Sequence, residues 1–293
     1  MSATADLVLD LKNDLGEGAI WNPMTQNLCF IDITGRRVYD YDPANGLLHS
    51  FATPEMVGTV VPRRRGGLVL SIERGMAAAD PRNGEIRLLA APAEHDPLRC
   101  RFNDGKCDPQ GRFWAGTMSL TSEPNAGALY CFDSRHTSRR VLTEVSVSNG
   151  LAWSLDGKTF YYIDSPTRRV DAFSFDPDSG ELSGRRCVIA LPPGEDMPDG
   201  CTIDSEGKLW IAHWDGGRVS RWDPDTGREI GSVAVPAPRV TSCAFGGDRL
   251  ETLYITSARV GMTAEGLARA PLSGGLFSCS PGVAGMPAFC YAG

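Results

Sequence analysis

Hydrophobic positions recur in short runs that alternate with polar ones: VYDYD (38–42), LVLSI (68–72), RFWAGT (112–117), TFYYID (159–164), VDAFSFD (170–176), LWIAHW (209–214) and LYITSA (253–258). The runs are rich in aromatic and β-branched residues and their period is two, which predicts strands; helical periodicity is hard to find anywhere. Glycines 111, 157 and 207 each precede a basic residue and then such a run. Looser copies stand at 22–32, 63–73 and 246–256, so the unit occurs six times at intervals of roughly 40 to 50 residues. In phase with it, YDPANG (41–46), ADPRNG (79–84), FDPDSG (175–180) and WDPDTG (222–227) supply Asp-Pro-x-x-Gly hairpins. Proline presets φ in these turns and glycine accepts a positive φ. About four strands in each of six repeats is the arithmetic of an all-β, six-bladed β-propeller with four-stranded antiparallel blades. The reading is one domain over 1–293, with the N-terminal ADLVLDL completing the last blade and closing the ring.

Composition changes this picture little. Of 293 residues, 42 % are hydrophobic and 22 % charged, and the formal charge of −7 carries no acidic or basic block. The longest basic run, Arg63-Arg64-Arg65, is too short for a nucleic-acid footprint. No stretch approaches the roughly 20 apolar residues that span a bilayer, so no membrane partner is expected. The first ten residues, MSATADLVLD, lack the basic and apolar regions of a secretory signal. Nine scattered cysteines, none in a CxxC, suit a reducing compartment, and the cytoplasm is the expected location.

The candidate chemistry comes from counting. In a propeller the first strand of each blade lines the central channel, and residues just before it should gather at one mouth. Eight residues ahead of glycines 111, 157 and 207 stand Asn103, Asn149 and Asp199, and the first repeat places Glu17 there. The second and sixth repeats offer Gly58 or Thr59 and Thr241 or Ser242. Any one Asn-Gly or Asp-Gly could be only a bend. Four oxygen-bearing side chains at matching offsets would repel or stay unsatisfied around an axis unless a cation or a polar ligand joined them. Oxygen donors suit Ca²⁺, Mg²⁺ or Mn²⁺.

Through LGEGAIW, RFNDGKCDPQGRFWAGTM, SNGLAWS with FYYIDS, MPDGCTID with EGKLWIA, TSCAFGG, SGGLF and YAG, the chain resembles the regucalcin (senescence marker protein)/gluconolactonase/luciferin-regenerating enzyme family. The resemblance covers nearly the whole sequence. It implies a six-bladed propeller with one divalent metal at the channel mouth (Ca, Zn, Mn, Mg or Fe) and sugar-lactone hydrolysis. By motif, Glu17, Asn149 and Asp199 would hold the metal, Asp199 would be the general base, and Arg101 and Asn103 would contact substrate. In the loop SLTSEPNAG (119–127), Thr121 stands where an acidic residue of animal relatives is aligned, with Glu123 nearby. These two are the expected lid contacts, and the sugar preferred depends on them.

The expected activity is therefore the opening of aldonolactone rings by a monomer or weak homo-oligomer acting on a small molecule. A non-enzymatic calcium-holding propeller, or a hydrolase of other lactones or phosphotriesters, are the rivals. Four histidines without HxH or HExxH spacing argue against a histidine-bound zinc site, and His213 reads as a loop or rim residue. No GxSxG nucleophile elbow and no dinucleotide fingerprint stands in strand–helix context.

Overall fold

Each turn glycine of the repeat lies where the innermost strand of a sheet doubles back into the second. The structure is a computed structural model and describes residues 2–194 and 196–293. Six mainly antiparallel sheets follow one another along the chain as blades one to six, threaded from the innermost strand outward except where the N-terminal segment adds the outermost strands of blades five and six. The inner strands are Gly16–Asn22, Val57–Pro62, Cys100–Cys107, Ser148–Trp153, Met197–Ile203 and Val240–Gly246. Each packs against the next and the sixth against the first, so they form a closed ring about a channel. Four of the six are buried at every residue. Outer strands such as Leu47–Ala52 and Leu182–Ala190 are mostly exposed or half-exposed. The Asp-Pro-x-x-Gly segments join the third strand to the outer strand in blades one, two, four and five, as expected.

The N-terminal segment closes the ring with one addition to the expected scheme. Asp6–Leu9 pairs antiparallel with Leu276–Cys279 as the outer strand of blade six. Ser2–Thr4 runs parallel along Arg228–Ala234, a fifth strand on blade five. Within the ring, Thr241 Oγ1 of blade six donates to the Gly16 carbonyl of blade one at 2.5 Å. Between blades three and four the core is aromatic: Trp114, Trp153 and Phe160 lie with centroids 4.9 to 5.9 Å apart. Helix is confined to Ala264–Arg269 and a 3₁₀ turn at Ser165–Thr167 among the described residues, and no helix is long and apolar enough to cross a membrane. All nine cysteines are free, and six of them are buried.

The C-terminal tail covers one end of the channel. Ser205 and Tyr291 donate backbone N–H groups to Ala284 and Pro62, and Ala292 donates to Gly111. These anchor points adjoin the C-terminal ends of the inner strands. Beneath the tail, an apolar pocket of about 90 Å³ is bounded by Trp21, Trp153, Phe245, Met286 and Phe289.

Candidate functional site

All six inner strands carry a register shift near their start, at Glu17/Ile20, Val57/Thr59, Phe102/Gly105, Asn149/Leu151, Pro198/Cys201 and Val240/Ser242. A bulge re-aims a side chain that regular pleating would send toward a neighbouring blade. Glu17, Asn103, Asn149 and Asp199 all sit at these shifts, 4 or 5 % exposed. They lie within the inner strands and not before them, which corrects the sequence expectation; the count from the turn glycines holds because the bulge falls at the same offset each time. Gly18 (φ 62°) and Gly150 (φ 23°) follow two of these residues in a backbone region that side chains disfavour.

The polar contacts run around the mouth in one direction. Arg101 Nη1 donates to Asn103 Oδ1 at 2.6 Å, and Asn103 Nδ2 donates to Asn149 Oδ1 at 2.9 Å and to the Ser148 carbonyl at 2.8 Å. Asn149 Nδ2 donates to Ser165 Oγ at 2.8 Å, and Ser165 Oγ donates to the Pro198 carbonyl at 2.6 Å. Glu17 Oε2 accepts from the Gly18 N–H at 2.9 Å. Asp199 Oδ1 is buried with no hydrogen-bond partner, and so is Oδ2 of Asp104, one residue below Asn103.

Three carboxylates thus share one channel with little solvent. Burial, and then the charge of Asp104, push Glu17 up to about 8, with Gly18 and Arg101 opposing. Burial and then Glu17 raise Asp199 well above the carboxylate range. Asp104 is raised by burial, against Lys106 and the Gly105 N–H. Burial lowers Arg101 to about 10 despite Glu17 and Asp199. Every carboxyl shift has the direction of a site short of positive charge.

These residues fit a divalent cation. Two buried carboxylates, one with an orphaned oxygen, and the second lone pair of the Asn149 carboxamide make an oxygen donor set. Among the described residues no three His, Cys, Asp or Glu side chains are arranged to hold a metal, so a cation here would need the carboxamide as well. Thr121 and Glu123 lie exposed on the loop after the second strand of blade three. That loop follows Ser119, which pairs with Cys100, so it belongs to the same mouth. Thr121 contacts Ser119 Oγ, and Glu123 pairs with Arg99 at 3.1 Å; neither touches the cluster.

His213 is not on the rim. It is fully buried in Leu209–Trp214, with Nδ1 2.8 Å from Asp196 Oδ2 and Nε2 2.5 Å from Ser220 Oγ. The order Asp–His–Ser is that of a nucleophilic triad. Ser220, however, has no exposed surface and accepts from Trp222 Nε1 at 2.6 Å, which leaves it no substrate to attack. Sequence reasoning also missed Asp104 and Ser165. The DG pair was visible for the first; nothing marked the second except its place after the shared YID run.

The SMP-30/Gluconolactonase/LRE-like region matches residues 15–259. Regucalcin of Danio rerio is 44 % identical over 296 residues, covering 100 % of this chain and 99 % of that protein. A calcium-binding regucalcin structure from Agrobacterium tumefaciens superposes with a TM-score of 0.94 at 26 % identity, and a luciferin-regenerating enzyme with 0.91 at 30 %; each comparison covers 99 % of both chains.

Proposed function

The chain belongs to the SMP-30/gluconolactonase/LRE-like family, and from that premise we propose that it is a metal-dependent hydrolase that opens the ester ring of sugar lactones. The observation that carries the reading is Asp199: a buried carboxylate with an unpartnered oxygen, beside a second carboxylate and within the field of a guanidinium. Glu17, Asn149 and Asp199 would hold one divalent cation. When bound, such an ion supplies Lewis acidity toward the lactone carbonyl. Calcium suits the all-oxygen donors, and the Agrobacterium relative is described as calcium-binding.

The remaining work falls to this chain's own groups. Arg101 presents N–H donors beyond those used on Asn103 and Phe102, enough to orient ring hydroxyls of a polar substrate. Asp199 takes a proton from the water that adds to the carbonyl carbon. As the bond from that carbon to the ring oxygen breaks, the same proton passes to the departing oxygen, giving a hydroxy acid. Thr121 and Glu123, on the loop that follows Ser119 at this mouth, would select among sugars. A small-molecule substrate, a cytoplasmic setting and a monomeric or weakly associating chain complete the proposal.

The test is a panel of aldonolactones assayed with metal-stripped protein, each divalent ion added back in turn. Asp199→Asn keeps an oxygen donor but cannot accept the proton. It should fold, bind metal more weakly, and at saturating metal lose about 10²–10⁴ in turnover. Near-wild-type turnover would remove Asp199 as base. Absence of turnover on every lactone in the wild type would leave a calcium-holding propeller.

A further inference from the structure

Arg101 can only donate and the Pro198 carbonyl can only accept, so the two ends fix the direction of every hydrogen bond between them. Asn103 must turn its oxygen to Arg101 and its NH₂ to Asn149. Asn149 must then turn its oxygen toward Asn103 and the channel, and its NH₂ toward Ser165. The Ser165 hydroxyl accepts from Asn149 at 2.8 Å and spends its only proton on Pro198 at 2.6 Å, the residue before Asp199. The chain crosses blades three, four and five.

We propose that Ser165 is a positioning residue for the cation site: it fixes the Asn149 amide with its oxygen toward the metal and ties that ligand to the strand bearing Asp199. Ser165 is 5 % exposed, opens the 3₁₀ turn after the second strand of blade four, and is held there by its own N–H on the Val147 carbonyl at 3.1 Å. No other acceptor is bonded to Asn149 Nδ2 among the described residues. Without the hydroxyl, Asn149 Nδ2 has no acceptor, and the Asn103 donor alone is left to oppose a flip that would turn NH₂ toward a cation. The Pro198 carbonyl loses its side-chain donor at the bulge that aims Asp199.

The inference rests on Glu17, Asn149 and Asp199 being cation ligands, and its test reads metal affinity, independently of lactone turnover. Calcium binding to metal-stripped protein is measured by titration calorimetry for the wild type, Ser165→Ala, Asn149→Asp and the double variant. Loss of a partner that orients a metal ligand typically weakens affinity about 10–100-fold, and Ser165→Ala should do so with an unchanged circular dichroism spectrum. In Asn149→Asp both side-chain oxygens can face the cation, so no amide remains to be oriented. There Ser165→Ala should cost less than about threefold, a non-additivity expected of directly coupled residues. Affinity of Ser165→Ala within twofold of wild type would overturn the proposal. So would the same loss in both backgrounds, which would trace the effect to the Pro198 contact or to packing and not to the Asn149 amide. A wild type that binds calcium but opens no lactone would bear on the proposed reaction and leave the Ser165 comparison intact.

Discussion

The hydrogen bonds around His213 define its protonation. The Asp196 carboxylate accepts from Nδ1–H, so in the neutral ring Nε2 accepts from the Ser220 hydroxyl, whose oxygen also accepts from Trp222 Nε1. Both ring nitrogens are satisfied in the neutral form. Burial, then the nearby Arg218 charge, lowers the His213 pKa from 6.5 to about 4, against Asp196 and Glu229. Arg168 and Arg218 also contact Asp196, whose carboxyl is itself held low. The unfolded chain therefore binds more protons than the folded one between about pH 4 and 6.5, so stability falls with acid across that window. Denaturation midpoints should show a loss of about 2 kcal/mol on going from pH 7 to about pH 5. His213→Gln should flatten that slope; an identical slope in the variant would assign the loss to other groups.

The inner strands explain why so much of the site could be counted from sequence and why some could not. Turn glycines 111, 157 and 207 and the bulges are both set by the repeat, so Asn103, Asn149 and Asp199 keep one offset. The groups to which Asn103 and Asn149 donate lie 16 to 46 residues away in sequence. Ser165 reads locally as a turn residue, and its role exists only through Asn149 and Pro198, 16 and 33 residues away. His213 looked peripheral because it follows four apolar residues at a strand end, while its burial comes from Ser220 and Asp196. The same limit applied to Gly58, which sequence placed in the ring without a function. A Cβ there would lie 2.5 Å from the Phe102 carbonyl and 2.8 Å from that of Asn103, so only glycine lets blade two approach the strand carrying the site. Gly58→Ala should lower unfolding stability by about 1–3 kcal/mol, as overpacking does. Gly231→Ala in an outer strand, where the nearest atom is 3.9 Å away, should change it little. Equal midpoints for the two variants would mean the inner strands adjust freely.

Because all inner strands run the same way, the channel has two chemically different ends. Glu17, Asn103, Asn149 and Asp199 occupy the end where the strands begin, and the tail seals the end where they finish. About five strand residues, roughly 15 Å, separate the two along Gly16–Asn22. Tyr291 is the tail's principal anchor. Its ring is fully buried, its N–H and C=O bond Pro62 and Arg64 of blade two, and its hydroxyl donates to the Asp133 carbonyl of blade three at 2.6 Å and meets His136 Nδ1 at 2.7 Å. Tyr291→Ala removes a core aromatic from this seam and should cost about 3–5 kcal/mol. Tyr291→Phe keeps the ring and should cost about 1 kcal/mol for the hydrogen bond. Neither touches the oxygen cluster, so calcium affinity measured well below the unfolding transition should stay within about twofold of wild type, a neutral outcome expected of distant independent positions. A fall in affinity that tracks the fall in stability would show that the tail holds the far mouth in shape through the whole ring. Unchanged affinity beside a large stability loss would mean that blades two and three are stapled by the tail while the ligands are positioned by their own bulges.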